Sequence, residues 1–308
     1  GMSTRGWPRF WLPSYYCQEV VSAVRSTGIE CLLYPLNPLS PDRKPKLNFQ
    51  ERDVVMAVNH FGLYGVPSWL SVIPPSVDYI EDHTHDPWSI WANTSNATFA
   101  FASLRKTLPL AEGAPIWSPA GQPLPDEPKV TTVRSIAVRL KSQGMMEKAK
   151  YLSGGLVTKD VYRSKLLAGE AEIASGEISG ITETSLSILR KFPLGHWRSV
   201  RKANAEYLRK NLITVSGVEL LEWKSESTPF SVILLLPNKE RRDSLRRYLV
   251  AASVYPAILW PLSNVELDGI TKVDQELADR MLSVHCDGRY SLADMKRLAD
   301  LIIKGLRL

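Results

Sequence analysis

The run Ile80-Glu81-Asp82-His83-Thr84-His85-Asp86 puts an acid at the close of an apolar stretch. Lys106 follows in Phe101-Ala102-Ser103-Leu104-Arg105-Lys106-Thr107-Leu108-Pro109-Leu110-Ala111-Glu112-Gly113. A carboxylate and an amine of this kind are what an enzyme holding pyridoxal 5'-phosphate (PLP) requires. The carboxylate pairs with the pyridinium nitrogen and keeps it protonated, so that the ring draws electrons from a substrate carbanion, while the lysine carries the aldehyde as a Schiff base. Such a lysine must be partly desolvated for its amine to be neutral, and Phe101, Leu104, Leu108 and Leu110 favour that.

Each residue also has a plainer reading. A strand-end acid such as Asp82 caps a helix or holds a loop. His85 is spaced to sit near the phenolic oxygen of the cofactor, and His60, in His60-Phe61-Gly62, ends the neighbouring strand; either is equally a hydrogen-bonded core histidine. Ser103 and Arg105 contact a phosphate, or else cap and solvate. His83-Thr84-His85-Asp86 also resembles the opening of a binuclear zinc hydrolase motif. Pro87 stands where that motif continues with histidine, and five histidines are few for a two-metal shell, so no metal site is expected.

The elements that must position these residues read as an α/β pattern. Trp11 to Tyr16 reads as a strand entering a loop, Gln18 to Ser26 as a helix ended by Gly28, and Ile29 to Tyr34 as a returning strand. Val54 to Val58 and Val77 to Ile80 are further strands, and Thr98 to Ser103 is a β-prone run before the lysine. Short buried strands alternating with helical segments predict a mostly parallel sheet with flanking helices. His60, Asp82, His85 and Lys106 then all fall beyond the carboxyl ends of the strands, where such sheets collect their ligands. Helices are expected from Val130 to about Ser153 and from about Thr182 to Leu212, the latter broken near Pro193-Leu194-Gly195. A strand (Phe230 to Leu236), a helix (Lys239 to Ala252), a short apolar piece through Trp260 and a helix (Ser291 to Leu306) predict a smaller C-terminal α+β domain.

Composition narrows the class. The 308 residues are 44% hydrophobic and 23% charged, enough for a sizeable core. No apolar run approaches the roughly 20 residues that span a bilayer, and the first five residues lack a signal-peptide core, so a cytoplasmic protein with no membrane partner is expected. Cys17, Cys31 and Cys286 are too scattered for a disulfide framework and read as reduced buried thiols. The net charge of +6 suits phosphorylated or nucleotide-linked ligands and ordinary solubility alike. The basic stretches at 190–191, 198–202, 209–210 and 241–247 lack an aromatic stacking motif. They read as solvated helix faces, and no nucleic-acid partner is expected.

Taken in order, these segments resemble the DegT/DnrJ/EryC1/StrS aminotransferases, PLP enzymes of the aspartate aminotransferase (type I) fold. Leu12-Pro13-Ser14-Tyr15 resembles the strand-end P-S-Y of that family. Val58-Asn59-His60-Phe61-Gly62 resembles its V-H-x-F-G with the histidine one place late, and Glu81-Asp82 with His85 resembles its E-D-x-x-Q/H. Ser103-x-x-Lys106 followed by Glu112-Gly113 resembles the lysine segment that closes in E-G-G. Arg201 to Ala205 resembles R-x-x-N-A, and Cys286 to Met295 its C-terminal signature.

The resemblance implies a large PLP-type domain at 1–180, followed by helices and a small α+β domain at 181–308. It makes Lys106 the aldehyde-bearing lysine and proton shuttle, and Asp82 the partner of the pyridinium. His85 becomes the neighbour of the ring oxygen, with Ser103, His60 and Tyr16 as further cofactor contacts. It implies a homodimer that takes an amine from an amino acid donor and gives it to a keto sugar or related ketone. The departures carry their own expectations. Only Gly1 to Phe10 precedes the P-S-Y match, so the helix whose amides hold the phosphate in relatives is expected to be missing. Phe101 stands at the usual phosphate serine, Ala114 at the second closing glycine, and Cys17 at the ring-stacking aromatic, a role that Tyr16 is expected to take. A non-catalytic relative that keeps the fold for binding or assembly is the alternative.

Overall fold

The computed structural model describes residues 5–175 and 178–308. Val54–Val58 illustrates why the sheet forms: five consecutive apolar residues, all buried, require neighbours on both faces, as in a strand inside a parallel sheet. The first sheet contains β1 (Arg9–Pro13), β2 (Glu30–Tyr34), β3 (Val54–Val58), β4 (Asp78–Asp82), β5 (Phe99–Phe101) and β6 (Ile116–Trp117), in the order β2-β1-β3-β4-β5-β6. The pairs from β2 through β5 are parallel. Registers of Val58 with Asp82 and of Asp82 with Phe101 bring three strand ends level.

A second sheet of β7 (Glu219–Leu220), β8 (Ser231–Leu235) and β9 (Met281–His285) is antiparallel. It packs with the helices Leu194–Leu212, Lys239–Ala251 and Leu292–Leu306 around a core that includes Leu208, Val232, Leu249, Val284 and Ile302. A further cluster joins this sheet to the end of the first one: Ile233, Leu235, Leu262 and Leu277 pack with Tyr15, Phe61 and Leu63. Both sheets belong to one compact unit formed by residues 1–101, 117–122 and 194–308.

The second unit comprises residues 102–116 and 123–193. It holds the one-turn helix Leu104–Thr107, the helices Thr132–Leu152 and Lys159–Ser175, and the helix Glu183–Lys191. The two long helices lie in close contact at Gly169, where a Cβ would come within 2.5 Å of Lys141 Cγ and 2.9 Å of the Ala137 carbonyl. Glu112 organises the far end of this unit. Its Oε1 accepts from the Thr182 amide at 2.9 Å, the Thr182 hydroxyl at 2.6 Å and the Ser185 hydroxyl at 3.0 Å, anchoring the cap of the helix that follows.

Several elements went unread in the sequence: the helices Lys159–Ser175 and Lys272–Arg280 and the strands β7 and β9. The basic stretches also need correction. Arg198 pairs with Asp86, Arg201 is 2% exposed, and Arg242 is buried with its guanidinium on the carbonyls of Ala278 and Met281. These three are packed inside, not solvated. All three cysteines are free thiols, but only Cys286 is fully buried. Burial raises its pKa to about 12. Among the described residues, no helix is long and apolar enough to cross a membrane.

Candidate active site at the strand ends

Asp82 is the last residue of β4 and is 6% exposed. Its Oδ1 accepts from the Thr84 amide at 2.8 Å, a short-range turn contact that fixes the carboxylate to its own backbone. Its Oδ2 accepts from the Tyr16 hydroxyl at 2.5 Å. Burial and the neighbouring Asp82 both push the Tyr16 pKa well above the usual phenol value, so this hydroxyl stays a donor. The Tyr16 ring sits edge-on to Trp260 at 5.9 Å.

The chain turns sharply after β3. Phe61 and Gly62 both adopt positive φ, 57° and 67°, and a Cβ at Gly62 would lie 3.0 Å from Asp86 Cβ and 3.1 Å from the Thr228 carbonyl. That turn aims the Phe61 amide at His85 Nδ1, 3.0 Å away. Because Nδ1 accepts, the imidazole proton sits on Nε2. The His85 ring stacks on Trp260 at 5.7 Å and on Phe61 at 5.5 Å, and lies 4.6 Å from Phe230. His60 is buried, with Nε2 2.9 Å from the Tyr15 carbonyl oxygen, so that nitrogen is the donor. Burial lowers its pKa to about 4 and keeps it neutral. This hydrogen bond is the one expected of a core histidine.

Two buried polar atoms at neighbouring strand ends have no hydrogen-bond partner: Ser14 Oγ, after β1, and Asn59 Oδ1, after β3. The Asn59 amide donates to the Asp82 carbonyl at 2.9 Å. On the same face of the fold's unit, Asp86 is 1% exposed and is gripped by Arg198, whose Nη2 lies 3.2 Å from both Asp86 Oδ2 and Thr228 Oγ1. Burial raises the Asp86 pKa, and the Arg198 guanidinium opposes that rise. Neither Arg198 nor Trp260 was singled out by spacing, since each sits in a segment that reads as ordinary helix or packing.

His83 is paired with Glu81. Its Nε2 is 2.8 Å from Glu81 Oε2, while Glu81 Oε1 accepts from Trp91 Nε1 at 2.8 Å. Among the described residues, no group of three or more His, Cys, Asp or Glu is placed to hold a metal ion.

Ser103 and Lys106 belong to the second unit. Ser103 begins the one-turn helix without capping it through its side chain, and Lys106 is exposed. The apolar cover expected over Lys106 is not found: Leu104, Leu108 and Leu110 are buried, but Lys106 itself is exposed. Arg105 pairs with Glu170, which also accepts from Lys141 Nζ at 2.6 Å. Burial lowers the Lys141 pKa.

No family model matches the chain, and no curated protein matches it either. Solved structures do. DesI, solved in the presence of its TDP-sugar product, superposes with a TM-score of 0.65 at 16% identity, over 99% of this chain and 78% of that one. A DegT DnrJ EryC1 StrS aminotransferase from Brucella abortus gives 0.58 at 16% identity, over 98% and 81%. The ntda protein of Bacillus subtilis, with bound cofactor PMP, gives 0.64 at 11% identity, over 100% and 70%.

The fold is that of the DegT/DnrJ/EryC1/StrS aminotransferases. This type I fold places Ser14, Asn59 and Asp82 at the ends of three adjacent parallel strands. The donor set there fits the ring of the cofactor the fold family carries. It offers a buried carboxylate that accepts hydrogen bonds at both oxygens, an imidazole with a defined tautomer, and two buried polar atoms that lack partners among the described residues.

Proposed function

We propose that the chain is a PLP-dependent aminotransferase of the sugar aminotransferase type, moving an amine from an amino acid donor to a keto sugar or related ketone. The observation that carries this reading is Asp82: a carboxylate 6% exposed, at the end of a central parallel strand, with donors on both oxygens. Bound PLP supplies an electron sink for the carbanion formed when an amino group is exchanged.

In this reading Asp82 would accept a hydrogen bond from the ring nitrogen and keep the proton on that nitrogen, since a buried carboxylate next to a cationic ring favours the charged pair. His85, with Nδ1 taken by the Phe61 amide, has Nε2–H as its donor to the ring oxygen. His60 and Tyr15 shape the wall. Ser14 Oγ and Asn59 Oδ1 are candidates for further polar contacts, and Ser103 is kept as one from the resemblance. Lys106 is the lysine that would hold the cofactor aldehyde and move a proton at its Nζ. A homodimer working in the cytoplasm is part of the same proposal.

The test is spectroscopic. Protein mixed with PLP is expected to develop a visible band that borohydride abolishes, and Lys106→Ala to lose it. A reducible adduct that persists in the variant removes Lys106 from the role. The exposure of Lys106 favours a second reading, a non-catalytic relative that keeps the fold for binding or assembly. That reading is favoured if the wild-type protein forms no such band.

A further inference from the structure

We infer that Arg198 is a positioning residue for His85: by holding Asp86 and Thr228 together it closes the slot in which the His85 ring stands and sets where its Nε2–H points. The inference deepens the reading above, in which that donor addresses the cofactor.

Two aromatic rings and one amide form the slot. The Phe61 amide donates to His85 Nδ1 at 3.0 Å, the Phe61 ring stacks on the imidazole at 5.5 Å, and the Phe230 ring lies 4.6 Å from it. The two walls are joined to each other, because the Phe230 amide donates to the Phe61 carbonyl at 2.7 Å. Asp86 directly follows His85, and Thr228 lies two residues before Phe230; both are buried. Arg198 reaches both. Its Nη1 and Nη2 bind Asp86 Oδ1 and Oδ2, and Nη2 also donates to Thr228 Oγ1 at 3.2 Å. The links form a closed circuit from Arg198 through Asp86, His85, Phe61, Phe230 and Thr228 back to Arg198. A side chain whose supports are themselves fixed by packing and hydrogen bonds keeps one orientation.

The packing gives this circuit no room to relax. A Cβ at Gly62 would lie 3.0 Å from Asp86 Cβ, 3.1 Å from the Thr228 carbonyl oxygen and 3.2 Å from the His85 carbonyl oxygen. The turn after β3 therefore packs directly against both segments that Arg198 bridges, and a shift of either is passed to the Phe61 amide. The fork of the guanidinium matters here as much as its charge. A lysine ammonium pairs with Asp86 as a point charge and does not span the two acceptors in the same fixed geometry.

The test reads His85 by nuclear magnetic resonance, in protein carrying isotopically labelled histidine, for wild type, Arg198→Lys, Thr228→Val and Ile302→Val. Ile302 lies in the core around the second sheet, so its variant lowers stability away from the slot. The wild-type imidazole is expected as the single Nε2–H tautomer. In Arg198→Lys and Thr228→Val its two nitrogen signals are expected to move toward each other, and the Phe61 amide to exchange with solvent about tenfold faster. Unchanged signals and exchange in both variants overturn the inference. An equal response in Ile302→Val also overturns it, because lost stability alone then accounts for the effect. Should Arg198→Lys fail to fold, Thr228→Val decides, since it leaves the ion pair in place. A PLP titration followed by protein fluorescence tests the cofactor separately: Thr228→Val is expected to bind about fivefold more weakly than wild type. Equal affinity overturns the step from the ring's position to the cofactor. Absence of PLP binding by the wild type removes the cofactor reading, and the positioning of His85 then stands or falls on the imidazole signals.

Discussion

The Tyr16 hydroxyl donates to Asp82 Oδ2 at 2.5 Å and so ties the end of β1 to the end of β4 across the intervening strand. With both groups buried, the bond contributes to stability. Tyr16→Phe is expected to lower the unfolding free energy by about 2 kcal/mol, because a buried carboxylate loses one of its two donors. A double-mutant cycle with Asp82→Asn, read from urea midpoints, should give a coupling of about 1 kcal/mol or more. Strict additivity of the two substitutions means that the bond carries no stability.

His60 gives the molecule a pH dependence of known sign. Its folded-state pKa is lowered by burial to about 4, from an ordinary value of 6.5. As pH falls, the unfolded chain takes up the proton first. Stability is therefore complete above about 6.5 and is lost between there and 4, by roughly 3 kcal/mol at most. Urea unfolding at pH 7, 5.5 and 4.5 measures the slope, and His60→Gln should flatten it. An equal slope in the variant assigns the effect to other groups.

Asp86 is the buried partner of Arg198, and Arg201 lies close enough to feel its charge. Asp86→Ala leaves a largely buried guanidinium without its anion, which is expected to cost about 3 kcal/mol. Replacing both residues, with Asp86→Leu and Arg198→Met, should recover much of that loss. A thermal midpoint for Asp86→Ala within a degree of wild type contradicts this account.

What was legible in the sequence was what burial writes into it. Val54 to Val58 could only be an interior strand, and the break at Pro193 separates the helices Glu183–Lys191 and Leu194–Leu212 as expected. Strand β9 was hidden by Ser283, a polar residue in a buried stretch, which makes sense only beside its partner: its hydroxyl bonds to that of Ser231 on β8 at 2.7 Å. Helix Lys159–Ser175 has little apolar periodicity because its close contact is made by Gly169, which no hydrophobic pattern reveals. The placement of Asp82 at a strand end and of His85 just beyond it was visible from spacing. The partnership of Tyr16 with Asp82 was not, since it joins residues far apart in the chain and depends on which way a single phenol points.

The cluster that packs Ile233, Leu235, Leu262 and Leu277 against Tyr15, Phe61 and Leu63 makes the antiparallel sheet a floor beneath the loops that follow β1 and β3. Methyl-sized changes in that floor would tilt Tyr15 and the Phe61 turn together, so the geometry of both loops is open to adjustment from the hydrophobic side, through substitutions that alter no charge.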